Sequence, residues 1–168
     1  GGVGKTTVAK AIYNQIHPMF QFKSFLADVR DATSKHDLVD LQKKLIYDIL
    51  KKKPEISRVD EGIVMIEQQF RHKRVFVIID NIDEVEQLDA IAGNHDWFGP
   101  GSRIILTTRD EHLLKQGKVH NIYPAQKFNE REALELFSRH AFGNSCPNKG
   151  YLELSKNVIS YCGGVPLA

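Results

Sequence analysis

Gly1-Gly2-Val3-Gly4-Lys5-Thr6-Thr7 has the residue types and spacing needed to grip a polyphosphate. A triphosphate is multiply anionic and is best held by backbone N–H groups, so the chain must pass close to it. Glycines allow the positive φ angles that such wrapping requires. Lys5 supplies a point charge for the β- and γ-phosphates, and the Thr6 hydroxyl is the expected Mg²⁺ ligand. Thr7 caps or packs the start of the helix that follows. The complete pattern is Gly, four residues of any kind, then Gly-Lys-Ser/Thr. With Gly4-Lys5-Thr6 as its end, the first glycine would precede Gly1, so the chain is expected to be a piece of a longer protein. A glycine-rich turn with an incidental lysine is the bland alternative. The apolar-periodic helix that the loop runs into, Val8 to Ile16, argues against it, because a helix N-terminus favours phosphate.

Asp80 directly follows the apolar run Val75-Phe-Val-Ile-Ile79. That run is too short for a typical helix and rich in β-branched residues, so it reads as a strand buried on both faces. An acidic residue at the carboxyl end of such a strand completes the magnesium site of a phosphate-loop fold. A strand-ending turn aspartate is common; the neighbouring phosphate loop favours the metal reading. Arg109, after the strand-like Ile104-Ile-Leu-Thr-Thr108, places a guanidinium at the same rim. It could sense a terminal phosphate or be an ordinary surface arginine at a helix start. Residue chemistry leaves those two readings balanced.

These side chains have to be positioned by alternating strands and helices, which implies a parallel sheet with crossover helices. Phe22 to Val29 reads as a strand. Leu38, Leu41, Leu45 and Ile49 mark one face of a helix, and Ile63, Ile66 and Phe70 mark another. The basic run Arg71 to Arg74 closes that second helix as a solvated end. Asp83 with Glu86, and Thr108 with Glu111, fit capping boxes. Trp97 to Ser102 is a loop, Arg103 to Thr107 a strand, and Val119 to Tyr123 the expected last strand. Beyond Pro124 the alternation stops. Asn129 with Glu132 caps a helix through Leu134, Phe137 and Ala141, and Leu154, Val158 and Tyr161 mark a second helix. The expected organisation is a phosphate-loop nucleotide-binding domain over residues 1–125 and the beginning of a helical subdomain over 126–168.

At 168 residues, with 42% hydrophobic and 26% charged residues, the composition is that of a soluble globular chain. A formal net charge of +2 gives no argument for direct nucleic-acid binding or an anionic membrane. No apolar run approaches the length of a membrane span. Cys146 and Cys162 lack partners at metal-ligand spacing and read as free thiols of a reducing compartment, pointing to the cytoplasm.

The motifs together resemble the nucleotide-binding region of plant intracellular immune receptors of the nucleotide-binding, leucine-rich-repeat class. They are Gly1–Thr7, Phe25-Leu-Ala-Asp-Val-Arg30, Val77-Ile-Ile-Asp-Asn-Ile-Asp83, Gly101-Ser-Arg-Ile-Ile-Leu-Thr-Thr-Arg109, Glu132-Ala-Leu-Glu-Leu-Phe137 with Ala141-Phe142, and Cys162-Gly-Gly-Val-Pro-Leu-Ala168. The resemblance covers the chain in the family's order. It implies an NB-ARC module, an α/β phosphate-loop NTPase sheet with flanking helices whose first, central strand would lie before Gly1. Loss of that strand would leave the isolated piece poorly soluble or a weak nucleotide binder. The resemblance also implies a switch held closed by ADP and opened by ATP, with Lys5 and Thr6 on phosphate and Mg²⁺, Asp80 on the metal, Arg109 sensing phosphate and Pro166 against the adenine. Asp83 and Phe25–Arg30 match the subclass with an N-terminal Toll/interleukin-receptor domain. Implied partners are that domain, leucine-rich repeats and, on activation, further copies of the protein; the compartment is the cytoplasm, with the nucleus as alternative. One residue departs from the pattern. Asn81 stands where the family usually has a second acid, and an amide cannot accept a proton from water at neutral pH. Nucleotide binding is expected to survive and hydrolysis to be slow. The competing readings are a module that holds nucleotide with negligible hydrolysis, and a signal-transduction ATPase outside immunity. A motor or kinase is disfavoured by the Gly-Val-Pro-Leu-Ala segment.

Overall fold

Three parallel strands form the sheet: β1 (Phe22–Leu26), β2 (Val75–Ile82) and β3 (Arg103–Thr108), in the order β1-β2-β3. This computed structural model describes residues 2–117 and 119–166. They fall into two compact units, one of Thr6–Ile122 and one that joins the first residues to the stretch from Tyr123 onward.

In the first unit β2 is the middle strand, and its sequence explains why. Val75, Val77 and Ile79 project to one face and Phe76 and Ile78 to the other, and all five are fully buried. A strand with both faces covered must be apolar at consecutive positions, as parallel sheets require. The first face packs on α2 (Lys35–Leu50), α3 (Val59–Phe70) and α4 (Val85–Ala92) through Leu45, Ile49, Ile66, Phe70 and Ile91. The second face meets α1 (Lys5–Ile16) through Ala9, Ile12 and Tyr13. This is a three-stranded parallel α/β sheet with flanking helices, as expected for a phosphate-loop fold.

One polar group holds the three-helix layer in register. Gln42 is completely buried, and its Nε2 donates to Val59 O at 2.9 Å and to Ala90 O at 2.8 Å, tying α2 to α3 and α4. Gly62 makes room for it, since a Cβ there would run into the Gln42 amide.

Several boundaries differ from expectation, each for a local reason. β1 ends at Leu26 and not at Val29, because Asp28 turns left-handed (φ 51°) and Val29–Asp31 form a 3-10 turn. The box expected from Asp83 and Glu86 is displaced by one residue: Gln87 Oε1 accepts the N–H groups of Asp83 and Glu84, and the helix starts at Val85. The box expected from Thr108 and Glu111 is replaced by Asp110, whose carboxylate accepts His112 N–H at 2.8 Å ahead of α5 (Glu111–Gln116). Thr108 Oγ1 accepts the Asp110 N–H instead. In both cases a stronger or better-placed acceptor lies beside the expected one.

Val119 to Tyr123 is not a strand. Its apolar positions, 119, 122 and 123, do not alternate, so no single face could be buried against a sheet. Val119 N–H donates to Leu114 O, and residues 120–123 are exposed.

The second unit holds α6 (Glu130–Phe142) and α7 (Leu152–Cys162). Asn129 and Glu132 form the expected reciprocal cap, with both bonds at 2.9 Å. After α7 the chain turns through Gly163 and Gly164, both at positive φ, and Gly164 O accepts Phe128 N–H at 3.0 Å. A Cβ at Gly164 would collide with Phe128 O, so glycine is required by space as well as by φ. Among the described residues no helix is long and apolar enough to cross a membrane.

Candidate functional site

The phosphate-loop residues take the backbone that the motif demands. Gly2 (φ 81°) and Gly4 (φ 87°) are left-handed, and helix α1 opens at Lys5. A Cβ at Gly4 would meet no atom within 4 Å, so the conformation, not crowding, requires glycine there. The first turn of α1 contains no acidic side chain, which leaves its positive end free for an anion. Gly1 lies outside the described residues. Val3, Lys5 and Thr6 are partly buried and Thr7 is exposed.

Thr6 reaches across from α1 to the end of β2. Its Oγ1 lies 3.0 Å from Asp80 Oδ1 and 2.9 Å from Oδ2. Asp80 is fully buried. On its other side the Thr107 hydroxyl of β3 donates to Asp80 Oδ1 at 2.6 Å. Among the described residues of this unit the carboxylate is therefore held by two hydroxyls and by no cation. An ionised carboxylate buried without a countercharge is costly, so the arrangement suits an incoming positive ion.

The donor set fits Mg²⁺. That ion takes one or two carboxylates or hydroxyls from the protein and fills the remaining positions with water and phosphate oxygens. Among the described residues no cluster of three or more His, Cys, Asp or Glu side chains offers a full cage. Thr6 Oγ1 keeps its proton directed at the Asp80 carboxylate and has a lone pair left that such an ion could take.

Beyond Asp80 the β2–β3 register slips between Ile79 and Ile82. Asn81 occupies the irregularity in a left-handed conformation (φ 63°), which asparagine tolerates better than most residues. Its N–H donates to Thr107 Oγ1 at 2.9 Å. Arg109 follows β3 directly and is exposed, and among the described residues it forms no ion pair. It stands at the carboxyl ends of the strands, the same rim as Asp80. Pro166 is in the second unit, half-buried in the turn after α7; Leu167 and Ala168 of the same motif lie outside the described residues.

Two relationships were not read from the sequence. Thr107 looked like an ordinary strand threonine. Arg30 and Asp83, noted separately, form an ion pair with Nε to Oδ2 at 3.0 Å, joining the loops that leave β1 and β2.

Comparison with known proteins points to one family. The family model described as the NB-ARC domain matches residues 1–146. Disease resistance protein RPV1 of Vitis rotundifolia is 40% identical over the whole of this chain, which covers 12% of that protein. Disease resistance protein RUN1 of the same species is 41% identical over the whole chain, covering 13% of it. TMV resistance protein N of Nicotiana glutinosa is 37% identical over the whole chain, covering 15% of it. The chain thus spans a small part of the length of the relatives it matches.

Proposed function

The chain belongs to the NB-ARC domain family, and from that premise we propose that it is the ADP/ATP-binding switch of an intracellular plant immune receptor. Residues 1–125 are its phosphate-loop nucleotide-binding domain and 126–168 the beginning of its helical subdomain. The observation that carries this reading is the contact between Thr6, the last residue of the Gly-Lys-Thr motif, and Asp80, the buried acid of β2, at 2.9 Å. Gly1, Gly2, Val3, Gly4, Lys5, Thr6 and Thr7 cradle the phosphates, and Thr6 with Asp80 holds Mg²⁺. Bound Mg²⁺ supplies positive charge that neutralises the phosphate oxygens.

ADP holds the receptor closed, and ATP favours the alternative packing because the two nucleotides bind the two states with different affinities. Arg109 reads the terminal phosphate and Pro166 lies against the adenine. In the whole protein the module works between a Toll/interleukin-receptor domain and leucine-rich repeats, in the cytoplasm or nucleus, and activation assembles further copies. The relatives' names, all of disease or virus resistance proteins, support this role.

A second reading, a module that holds nucleotide with negligible hydrolysis, is favoured by one residue. Asn81 occupies the left-handed turn beside Asp80 with an amide in place of a proton acceptor. One experiment addresses both readings. Full-length protein is purified, its bound nucleotide identified after denaturation, and phosphate release followed from added ATP. Retained ADP with slow phosphate release supports the regulatory ATPase, and retained ADP without release supports the holding module. Absence of nucleotide, with no binding of added ADP and Mg²⁺ that depends on Lys5, would sink both.

A further inference from the structure

We propose that Thr107 is a positioning residue for the metal-ligating carboxylate: its hydroxyl fixes the rotation of Asp80 and thereby sets the affinity and selectivity of the site for Mg²⁺. The inference rests on the nucleotide-binding reading above and assigns a role to a residue outside the phosphate loop.

The argument begins with proton counting. A threonine hydroxyl has one proton and two lone pairs. The Asn81 N–H can only donate, and it points at Thr107 Oγ1 from 2.9 Å. Oγ1 is therefore an acceptor on that side, and its own proton goes to Asp80 Oδ1 at 2.6 Å. That distance is in the short range of charge-assisted O–H···O⁻ bonds. The chain of donors runs one way, from the Asn81 backbone N–H through the Thr107 hydroxyl to Asp80 Oδ1.

Burial makes this orientation consequential. Thr107 is 9% exposed and Asp80 0%, so the bond between them is shielded from water. The final torsion of an aspartate is broad and has no sharply preferred setting of its own. Here it is set from both sides, by Thr6 on α1 and by Thr107 on β3. The Thr107 bond engages Oδ1, and among the described residues Oδ2 has Thr6 as its one hydrogen-bond donor.

Mg²⁺ demands near-ideal octahedral geometry, whereas Ca²⁺ accepts six to eight ligands in loose arrangements. A carboxylate freed to rotate therefore penalises Mg²⁺ more than Ca²⁺. Groups that orient a ligating side chain without touching the metal typically alter metal affinity by about 10- to 100-fold when removed.

The test uses full-length protein and a fluorescent ADP analogue, titrated with Mg²⁺ or Ca²⁺ and also measured in EDTA. Thr107→Val keeps the shape and removes the hydroxyl; Thr107→Ser keeps the hydroxyl. The expected result is an apparent Mg²⁺ affinity lowered about 10-fold or more in Thr107→Val. Ca²⁺ affinity falls distinctly less, metal-free analogue binding is unchanged, and Thr107→Ser recovers the Mg²⁺ preference. Equal Mg²⁺ affinity in Thr107→Val and wild type overturns the inference, as does an equal loss for both metals or no recovery with serine. If Thr107→Val does not fold, Thr107→Cys, a weaker donor, takes its place, and wild-type Mg²⁺ affinity in that variant overturns the inference equally. Wild-type protein that binds the analogue with no metal dependence defeats the proposed metal site itself, and this inference with it. Wild-type protein that does not bind the analogue at all defeats the nucleotide reading, a failure distinct from that of Thr107.

Discussion

Thr107 and Asp80 meet across the β2–β3 ladder at 2.6 Å, a buried hydroxyl donating to a buried carboxylate that has no cationic partner among the described residues of its unit. When ionised, that carboxylate carries a charge whose desolvation the hydroxyl bonds offset only in part. Asp80→Asn removes that charge and keeps an oxygen for Thr107. The melting temperature without nucleotide is expected to stay level or rise, since burying an unpaired charge is costly and an amide of the same shape carries none. Mg²⁺–ADP should tell the opposite story. At about 100 times its dissociation constant a ligand stabilises the wild type by about 2.7 kcal/mol, and most of that gain should vanish in Asp80→Asn. Calorimetric melts with and without Mg²⁺–ADP check both halves. A nucleotide-free melt several degrees below wild type would show that the charge is already compensated.

Asn81 is held left-handed at φ 63° where the ladder slips. Asn81→Asp suits the same backbone and restores a proton acceptor, so phosphate release should rise by about tenfold or more with little change in stability. Asn81→Ala should cost about 1 kcal/mol, because an ordinary L-residue is strained in that region. Asn81→Gly should cost less than Asn81→Ala. Denaturant unfolding of the three variants together with single-turnover phosphate release separates the backbone role from the chemical one. Unchanged turnover in Asn81→Asp would remove the amide as the cause of slow hydrolysis.

What could be read from the sequence followed from how local its physical cause is. Val75–Ile79 is legible as a buried strand because consecutive β-branched residues have few other uses. Asn129 and Glu132 are legible because a reciprocal cap needs only the residues it contains. The caps of α4 and α5 were misplaced because Gln87 and Asp110, adjacent acceptors, compete for the same amides. Such competition is decided by geometry, which spacing alone does not carry. Thr107 was invisible for a different reason. A threonine in a strand satisfies β-propensity with or without a function, and its role exists only once β3 is paired with β2 in this register. Val119–Tyr123 has the apolar content of a strand without the alternation that would bury one face, so it stays outside the sheet.

Arg30 and Asp83 illustrate a contact between segments that the sequence marks separately. Their ion pair joins the loops after β1 and β2, with side chains 51% and 38% exposed. Exposed pairs of this kind contribute about 0.2–1 kcal/mol and weaken with salt. A double-mutant cycle with Arg30→Ala and Asp83→Ala should give a coupling within that range at low salt and near zero at about 1 M salt. Denaturant unfolding at the two salt concentrations measures it. Coupling that persists at high salt would mean that the pair is shielded by more than these two loops.

The N-terminus of α2 gives the chain an acid-sensitive element. Ser34 donates to Asp37 Oδ2 from its hydroxyl at 2.7 Å and from its backbone N–H at 2.9 Å. The hydroxyl bond first, and the backbone bond with it, hold the Asp37 carboxyl below its ordinary range. A carboxylate whose folded pKa is depressed stabilises the fold at pH values above its unfolded pKa, about 3.9. That contribution declines as the pH falls through the lower folded value. The first turn of α2 should therefore fray on acidification below about pH 4 while the buried strand β2 remains protected. Ser34→Ala removes the first cause, so the Asp37 titration should move up toward the ordinary range and fraying should begin at higher pH. Carboxyl-carbon NMR titration of Asp37, with amide exchange at Asp37 and Leu38 followed in the same samples, measures both. An Asp37 midpoint that is the same in wild type and Ser34→Ala would show that the Ser34 hydroxyl does not set it.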